Sequence, residues 1–155
     1  MRSPRYLEEG ARYHVTIRAN RQEMIFKTDL VKEMFIEILY RAKEKYSFLL
    51  QNFCIMGNHV HLIIQPIAGA CLSRIMQWIA GVFAMNYNRE FGLTGHVWGE
   101  RFFSRIIRNL AHFLMTMKYV DQNPVKAKLV AEPIEWVYSG SWHEENGISD
   151  LIDDE

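Results

Sequence analysis

An alternating segment between Gly57 and Pro66 constrains the fold of this chain more than any other stretch. The segment reads G-N-H-V-H-L-I-I-Q-P. Because successive side chains of a strand point to opposite faces, His59 and His61 lie on one face, while Val60 between them faces the other layer. The glycine and asparagine that precede the histidines are a turn signal. We therefore expect a hairpin that joins this strand to the apolar segment before it.

Hydrophobic periodicity elsewhere predicts three further strands and three helices. The strands are expected at residues 12–19, 46–56 and 97–107, and the helices at residues 29–45, 72–90 and 110–122. Asp29 is the expected N-cap of the first helix, with Leu30 in its apolar stripe. Pro124 is expected to stop the third helix, because the residue before a proline avoids the helical region. This βαββαβα order predicts an α+β fold, a ferredoxin-like single antiparallel sheet with two helices on one face and the third helix near the other.

The strand face that carries His59 and His61 is left open by the first two helices in this arrangement. The first strand adds polar residues to the same face if the two strands are neighbours, namely His14, Thr16 and Arg18. Two neutral imidazoles at this spacing can coordinate one metal ion. A solvent-facing pair, or one that is hydrogen-bonded within the sheet, explains an isolated H-x-H equally well. Four histidines lack paired spacing and are interpreted as structural or exposed: His14, His96, His112 and His143.

The third predicted helix carries two stripes of side chains. The stripe expected to pack on the body is apolar and consists of Leu110, Phe113, Leu114 and Met117. The offset stripe consists of His112, Met115, Thr116, Tyr119 and Asn123. Tyr119 and Asn123 are four residues apart and share a face, which could place a nucleophile beside a third metal ligand. A buried tyrosine with a satisfied hydroxyl and an ordinary helix cap are the alternative interpretations.

The net charge of zero conceals a division of the 155-residue chain. All 18 lysines and arginines lie within residues 1–131, where they outnumber ten acids and give a charge of +8. The other eight acids lie in residues 132–155 and give −8. A basic body with an acidic tail is typical of polyanion-binding proteins, although a solvated acidic terminus explains the charges equally well. We expect one domain at residues 1–131, with residues 132–155 as a tail that packs on it.

The chain shows no signal of a membrane or secreted protein. No apolar run is long enough to cross a bilayer, and the N-terminus does not lead into the core of a signal peptide. Cys54 and Cys71 are isolated and lack C-x-x-C spacing, so both are expected to be reduced. We therefore expect a cytoplasmic protein.

Two motifs in the correct order resemble a known family. They are G-N-H-V-H-L-I-I and, roughly sixty residues later, K-Y-V-D-Q-N-P-V-K-A-K-L-V. Both resemble the HUH single-tyrosine transposases of the insertion-sequence-200 group, and above all the REP-associated tyrosine transposases. The segments Y-H-V-T-I-R-A-N-R, H-V-W-G-E-R-F-F and S-G-S-W extend the resemblance over nearly the whole chain. Ala19 and Lys128 depart from it, because the subgroup usually has glycine at both positions.

The resemblance implies a site and a reaction. His59, His61 and Asn123 would bind a divalent cation, Mg²⁺ or Mn²⁺, although ligand type alone also allows zinc or nickel. Tyr119 would attack single-stranded DNA at a hairpin and leave a 5′-phosphotyrosine and a free 3′-OH. The subgroup slightly favours a monomer over a homodimer. Seven basic residues are candidates for contacts with DNA phosphates: Arg18, Arg101, Arg105, Arg108, Lys118, Lys126 and Lys128.

Two other functions stay open from the sequence. A domesticated protein could keep the fold, bind hairpins or palindromes and lack catalysis. The pair of motifs at residues 14–16 and 59–61 also resembles the paired H-x-T motifs of two-histidine phosphoesterases, which act on small cyclic phosphates without a metal ion. The second motif is H-V-H rather than H-x-T. A metal requirement and a covalent DNA adduct would separate the three functions.

Overall fold

The computed structural model describes residues 7–154. Within them, one four-stranded sheet is accompanied by four α-helices. The strands are β1 (Arg12–Arg18), β2 (Phe48–Ile55), β3 (His59–Pro66) and β4 (Phe103–Ile107). The helices are α1 (Asp29–Lys45), α2 (Leu72–Phe91), α3 (Leu110–Lys126) and α4 (Gly140–Glu145). None of the helices in the described part of the chain is long and apolar enough to span a membrane.

All strands of the sheet are antiparallel, and their order is β2-β3-β1-β4. This order confirms the predicted α+β fold with a single antiparallel sheet. The predicted hairpin joins β2 to β3, and the backbone N–H of Met56 donates to the carbonyl oxygen of His59 across the turn at 2.9 Å. The central position of β3 and β1 brings the two polar strand segments side by side, with Thr16 opposite His61 and Arg18 opposite His59.

Helices α1 and α2 cover one face of the sheet and form the main core with it. Their apolar stripes meet the inward side chains of β1 and β3, all of which are excluded from solvent. Phe26, Phe35, Phe83 and Trp98 form an aromatic cluster with ring centroids 5.2–6.4 Å apart.

Two details of the predicted first helix were wrong. The N-cap is Thr28 rather than Asp29, because the Thr28 hydroxyl accepts from the N–H of Val31 at 3.4 Å. Leu30, which was placed in the apolar stripe, is exposed. Val31 takes its place in the core, because the buried stripe begins one residue later.

The fourth strand is shorter than predicted. Residues 97–102 are irregular, with one isolated bridge between Trp98 and Ala19. Val97 and Phe102 are buried, so this segment is apolar without being a strand. The Trp98 indole donates to the carbonyl of Ala80 on α2, and the N–H of Gly99 donates to the carbonyl of Arg18, so the segment contacts both the helix and the end of β1 without forming a regular strand. A buried strand and a buried irregular segment both require apolar side chains, so the hydrophobic pattern does not distinguish one from the other.

Helix α3 does not stop before Pro124, as predicted, but continues to Lys126. A proline removes its own N–H donor and crowds the carbonyl four residues before it, but it stands here near the end of the helix, where only two helical residues follow it. The N–H groups of Ala127 and Leu129 then bond to the carbonyls of Asn123 and Pro124. Asn123 consequently stays helical, one turn beyond Tyr119.

The packing stripe of α3 also differs from the prediction. Phe113, Thr116 and Val120 are buried, whereas Leu110 and Leu114 are exposed. Helix α3 lies on the polar face of the sheet, so its contact stripe is rotated toward the side that carries Tyr119. A small second core of Ile63, Ile107, Phe113 and Val120 holds it there.

The C-terminal segment follows the free edge of β2 and contains a helix, α4, that the sequence did not predict. The N–H of Ile55 donates to the carbonyl of Tyr138 at 2.9 Å, and the Trp136 indole donates to the carbonyl of Ile55 at 3.0 Å. Further on, Leu151 is fully buried and Asp153 pairs with Lys43 of α1. An exposed strand edge is thereby covered.

Candidate active site

The two histidines of β3 lie on the sheet face opposite the main core. His61 is 2% exposed, and His59 is partly exposed nearer the end of the strand. Their ring centroids are 4.9 Å apart. The alternation of the strand places them side by side, since Val60 between them is buried in the main core.

The ring nitrogens of the two histidines have different partners. His61 Nδ1 lies 3.0 Å from His14 Nε2 and 3.3 Å from the Thr16 hydroxyl. His59 Nδ1 lies 2.7 Å from Asn58 Oδ1. The other nitrogen of His61, Nε2, is buried and has no hydrogen-bond partner. A buried imidazole nitrogen without a hydrogen-bond partner is the feature expected of a ligand position.

The environment keeps all three histidines of this cluster neutral. Burial, assisted by Arg18, lowers the pKa of His59 to about 4, against a smaller opposing effect of a hydrogen bond with Asn123. Burial, together with the neighbouring His59 and His14, lowers the pKa of His61 to about 3. Burial and Arg105 lower the pKa of His14 to about 4. Neutral imidazoles offer the lone pairs that a metal ion requires.

Tyr119 and Asn123 of α3 reach the same place from the other side. The Tyr119 ring is 45% exposed and lies edge-on to His61, with centroids 5.7 Å apart. The Asn123 amide donates to the carbonyl of Tyr119 at 3.3 Å, and its side chain also hydrogen-bonds with His59. The four-residue spacing on α3 therefore brings the phenol and the amide to the two histidines of β3.

Buried contacts fix α3 on the sheet at this position. The Asn52 amide of β2 donates to the Asp121 carboxylate at 2.8 Å. The Arg12 guanidinium of β1 stacks on the Phe113 ring at 3.9 Å. These contacts, together with the second core, set the distance between Tyr119 and the histidines.

The residues present fit a divalent metal ion with three protein ligands. No group of three or more His, Cys, Asp or Glu side chains converges within residues 7–154. A metal site here would combine the two imidazoles with the side-chain oxygen of Asn123. Such a set has few ligands and leaves positions for phosphate oxygens and water.

A groove with a volume of about 900 Å³ runs past Tyr119. Three of the predicted phosphate-contact residues line it: Arg18, Arg101 and Arg105. Lys126 lies beside it, with Nζ 5.5 Å from the centroid of the Tyr119 ring. Positive charge is therefore concentrated around the phenol.

The other three predicted basic residues are placed elsewhere. Arg108 pairs with Glu8 at 2.9 Å and lines a separate cavity. Lys118 lies on another side of α3, beside Asp121. Lys128 follows the end of α3 with a φ of +61°, a left-handed conformation that favours the glycine usual in the subgroup.

Several groove residues were not predicted from the sequence. His14 was interpreted as structural or exposed, yet it contacts His61 and lies edge-on to Tyr119 with centroids 5.8 Å apart. The H-V-T alternation placed it on the correct face, but only the strand order shows the contact. Phe103, which is 61% exposed, and Arg21 line the groove as well and were missed. Met115, which is 73% exposed, and His112 also line it, and helical spacing had placed both on the stripe that carries Tyr119.

Comparison with known proteins agrees with the fold described above. One relative is a Haemophilus influenzae protein named "Putative REP-associated tyrosine transposase", which is 27% identical over 145 residues, covering 87% of this chain and 81% of that protein. A solved REP-associated tyrosine transposase bound to a REP hairpin superimposes with a TM-score of 0.78 at 21% identity, covering 100% of this chain and 92% of the other. A transposase-like protein of Deinococcus radiodurans superimposes with a TM-score of 0.55 at 16% identity, covering 79% and 97%.

The family itself is shown by a match to the family described as "Transposase IS200 like". The match extends over residues 8–123, from just before β1 to Asn123 of α3. It confirms the resemblance predicted from the two sequence motifs. This chain belongs to the IS200-like family of transposases.

Proposed function

We propose that this protein cleaves and rejoins single-stranded DNA at hairpins, with Tyr119 as the nucleophile. The observation that carries the proposal is the meeting of Tyr119, Asn123 and the two β3 histidines at one end of an arginine-lined groove. A structural tyrosine would be buried, whereas this phenol is exposed to the groove. Family membership supports the same class of reaction.

The proposed step is a transesterification. Tyr119 Oη attacks the phosphorus, a bond forms between them, and the bond from phosphorus to the 3′ oxygen breaks. The phenol loses its proton and the departing 3′ oxygen gains one, so the products are a 5′-phosphotyrosine and a free 3′-OH. Because the link conserves the energy of the phosphodiester, a second strand end can be joined by the reverse step without a nucleoside triphosphate.

His59, His61 and Asn123 would hold Mg²⁺ or Mn²⁺, which neutralises phosphate charge and orients the scissile bond. The neutral histidines keep their lone pairs available near neutral pH. Asn123 links the two halves of the site, since its amide contacts both the Tyr119 backbone and His59. The nucleophile and the proposed ligands are thereby held in register by one turn of α3.

The groove favours an unpaired DNA strand. Arg18, Arg101 and Arg105 offer contacts to successive phosphates, and the exposed Phe103 and Met115 offer an apolar surface to a base. An unpaired strand end next to a hairpin would present successive phosphates to the arginines and an unstacked base to the apolar surface. The hairpin carried by the superimposable REP-associated transposase supports this choice of substrate.

The proposed site is assembled within one chain. Tyr119 faces His61 of its own protomer, with no second copy needed to complete the set. We therefore propose that a monomer is the active unit and that the tyrosine acts in cis. Mixing Tyr119→Phe with His59→Ala tests this: cis action predicts no adduct from the mixture, whereas recovery of adduct in the mixture would require a site shared between two copies.

A covalent-adduct assay tests the reaction itself. Hairpin oligonucleotides from DNA flanking the gene are incubated with Mg²⁺ or Mn²⁺, and denaturing gels reveal a protein–DNA adduct. The proposal predicts an adduct that is lost in Tyr119→Phe, in His59→Ala and with EDTA. Tight hairpin binding without any adduct would favour the non-catalytic DNA-binding function. A metal-independent reaction on small cyclic phosphates would favour the phosphoesterase.

A further inference from the structure

We propose that His14 and Thr16 are positioning residues that hold His61 in the tautomer whose Nε2 can bind the metal ion. The inference rests on the proposed function and extends it to β1, a strand that supplies no ligand of its own. It is carried by hydrogen-bond geometry at the second nitrogen of the ligand ring.

The His61 ring has one nitrogen in a hydrogen-bonded position and one without a partner. Nδ1 lies 3.0 Å from His14 Nε2 and 3.3 Å from Thr16 Oγ1. Nε2 is buried with no partner in the protein. A neutral imidazole carries one N–H and one lone pair, so the neighbours of Nδ1 decide where the proton resides.

Only one position of the ring proton leaves His61 able to bind a metal ion through Nε2. With the proton on Nδ1, the ring donates to His14 or Thr16, and the Nε2 lone pair is free. With the proton on Nε2, a buried donor has no acceptor, which is the less favourable arrangement. For His14 to accept with Nε2, its own proton must be on Nδ1. Where His14 is the acceptor, the metal-binding tautomer of His61 is therefore coupled to a tautomer of His14.

The other proposed histidine ligand, His59, also has a hydrogen-bond partner at Nδ1, in this case Asn58. His59 Nδ1 lies 2.7 Å from Asn58 Oδ1, a carbonyl oxygen that can only accept. His59 is thus the donor at Nδ1 and also presents Nε2. Metal-binding histidines generally donate their other N–H in this way, and loss of such a partner typically weakens metal affinity 10- to 100-fold.

His14 is also placed to link the ligand to the nucleophile. Its ring stacks on His61 with centroids 5.1 Å apart and lies edge-on to Tyr119 at 5.8 Å. Strand pairing fixes this position, because β1 lies between β3 and β4 and His14 stands opposite Ile63 and Arg105. A ring of similar shape without nitrogen would keep the packing and lose the hydrogen bond.

Mn²⁺ affinity and imidazole nitrogen NMR test the inference without relying on turnover. Three variants are compared with the wild type: His14→Phe, His14→Gln and Thr16→Val. We expect His14→Phe to weaken Mn²⁺ binding about 10- to 100-fold. The amide oxygen of His14→Gln can still accept from Nδ1–H, so this variant should recover most of the affinity. His96→Phe, at an exposed histidine outside the groove, is the matched control and should bind Mn²⁺ like the wild type.

The outcomes separate this inference from the proposed function. In the metal-free protein, long-range ¹H–¹⁵N spectra should show His61 protonated at Nδ1; protonation at Nε2 would overturn the positioning role. Wild-type affinity retained in His14→Phe would overturn it as well. If the wild type binds no Mn²⁺, the proposed metal site fails whatever the tautomer. Should His14→Phe not fold by circular dichroism, Thr16→Val is the informative variant, with a smaller loss expected.

Discussion

The two faces of the sheet are built for different purposes from the same strands. On the face covered by α1 and α2, every inward residue of β1 is apolar and buried, as Tyr13, Val15 and Ile17 show. On the face under α3, the alternate residues of that strand include His14 and Arg18, and an open groove runs past them. A shift of one residue in register would exchange the two sets.

The difference shows how a small domain can accommodate a reactive site. The α1 and α2 face contributes most of the buried apolar area, and hence most of the hydrophobic stability. Helix α3 is anchored by a much smaller core and by the Asn52–Asp121 hydrogen bond. Because this smaller core leaves room beside it, polar groups such as His61 Nε2 lie there without a hydrogen-bond partner. Substitutions should affect chemistry on one face and stability on the other.

The largest expected effect is a loss of chemistry without a loss of fold. His59→Ala removes a proposed ligand that is only partly buried, so adduct formation and Mn²⁺ binding should fall below detection. The free energy of unfolding should change by no more than about 1 kcal/mol, as is typical of a site outside the core. Isothermal titration with Mn²⁺ and urea unfolding measure the two quantities. Unchanged Mn²⁺ affinity would contradict the ligand assignment.

The converse substitution should affect stability first. Phe83→Ala opens a cavity in the aromatic cluster of the main core and should lower the free energy of unfolding by about 3–5 kcal/mol. Phe91→Ala, on the same helix but exposed, is the matched control and should cost far less. Urea denaturation compares them. Equal losses would mean that the two faces do not divide their roles as described.

A smaller effect is expected for Phe103→Ala, on the wall of the groove. Stacking of an unpaired base on an aromatic ring contributes about 1–3 kcal/mol, so affinity for single-stranded DNA should fall about 5- to 150-fold. Mn²⁺ affinity should not change, because the ring is not a ligand. Fluorescence anisotropy with a labelled oligonucleotide measures the loss, again with Phe91→Ala as control. Wild-type affinity would remove Phe103 from the proposed DNA path.

The smallest expected effect concerns the anchor of α3. Burial raises the pKa of Asp121 above its ordinary value of 3.8, despite the hydrogen bond from Asn52. The folded protein therefore binds this proton more tightly than the unfolded chain does. The free energy of unfolding consequently falls as pH rises above 3.8 through the folded-state pKa. Asp121→Asn should show a weaker pH dependence and a small gain in stability at pH 7. Urea unfolding at several pH values checks this, with Glu145→Gln as the exposed control.

Hydrophobic periodicity and turn signals predicted those helices and strands that are determined by residues close together in the sequence. Helices α1 and α2 and the β2–β3 hairpin follow from periodicity and a turn signal. The extent of β4 and of α3 did not follow, because Phe102 is buried without being in a strand and Pro124 is tolerated in a last helical turn. Helix α4 is short, and its N-cap, Ser139, lies in a segment without a clear period.

The candidate site also combines residue pairs that the sequence predicted with contacts that it did not predict. Tyr119 and Asn123 are paired by helical spacing, and the two β3 histidines by strand alternation, so the sequence predicted each pair. Contacts between pairs depend on strand order and helix placement, which no local pattern specifies. His14 was missed for this reason, since its role requires β1 to lie beside β3. Arg108 and Lys118 were grouped with the site by proximity in sequence, but they line other surfaces.

The most direct test of the central claim is to locate the DNA attachment. The adduct from a hairpin substrate and Mn²⁺ is trimmed with nuclease, digested with protease and sequenced by tandem mass spectrometry. The account predicts a nucleotide linked through its 5′ phosphate to Tyr119 and to no other residue. Attachment to another tyrosine, or an adduct that persists in Tyr119→Phe, would contradict it.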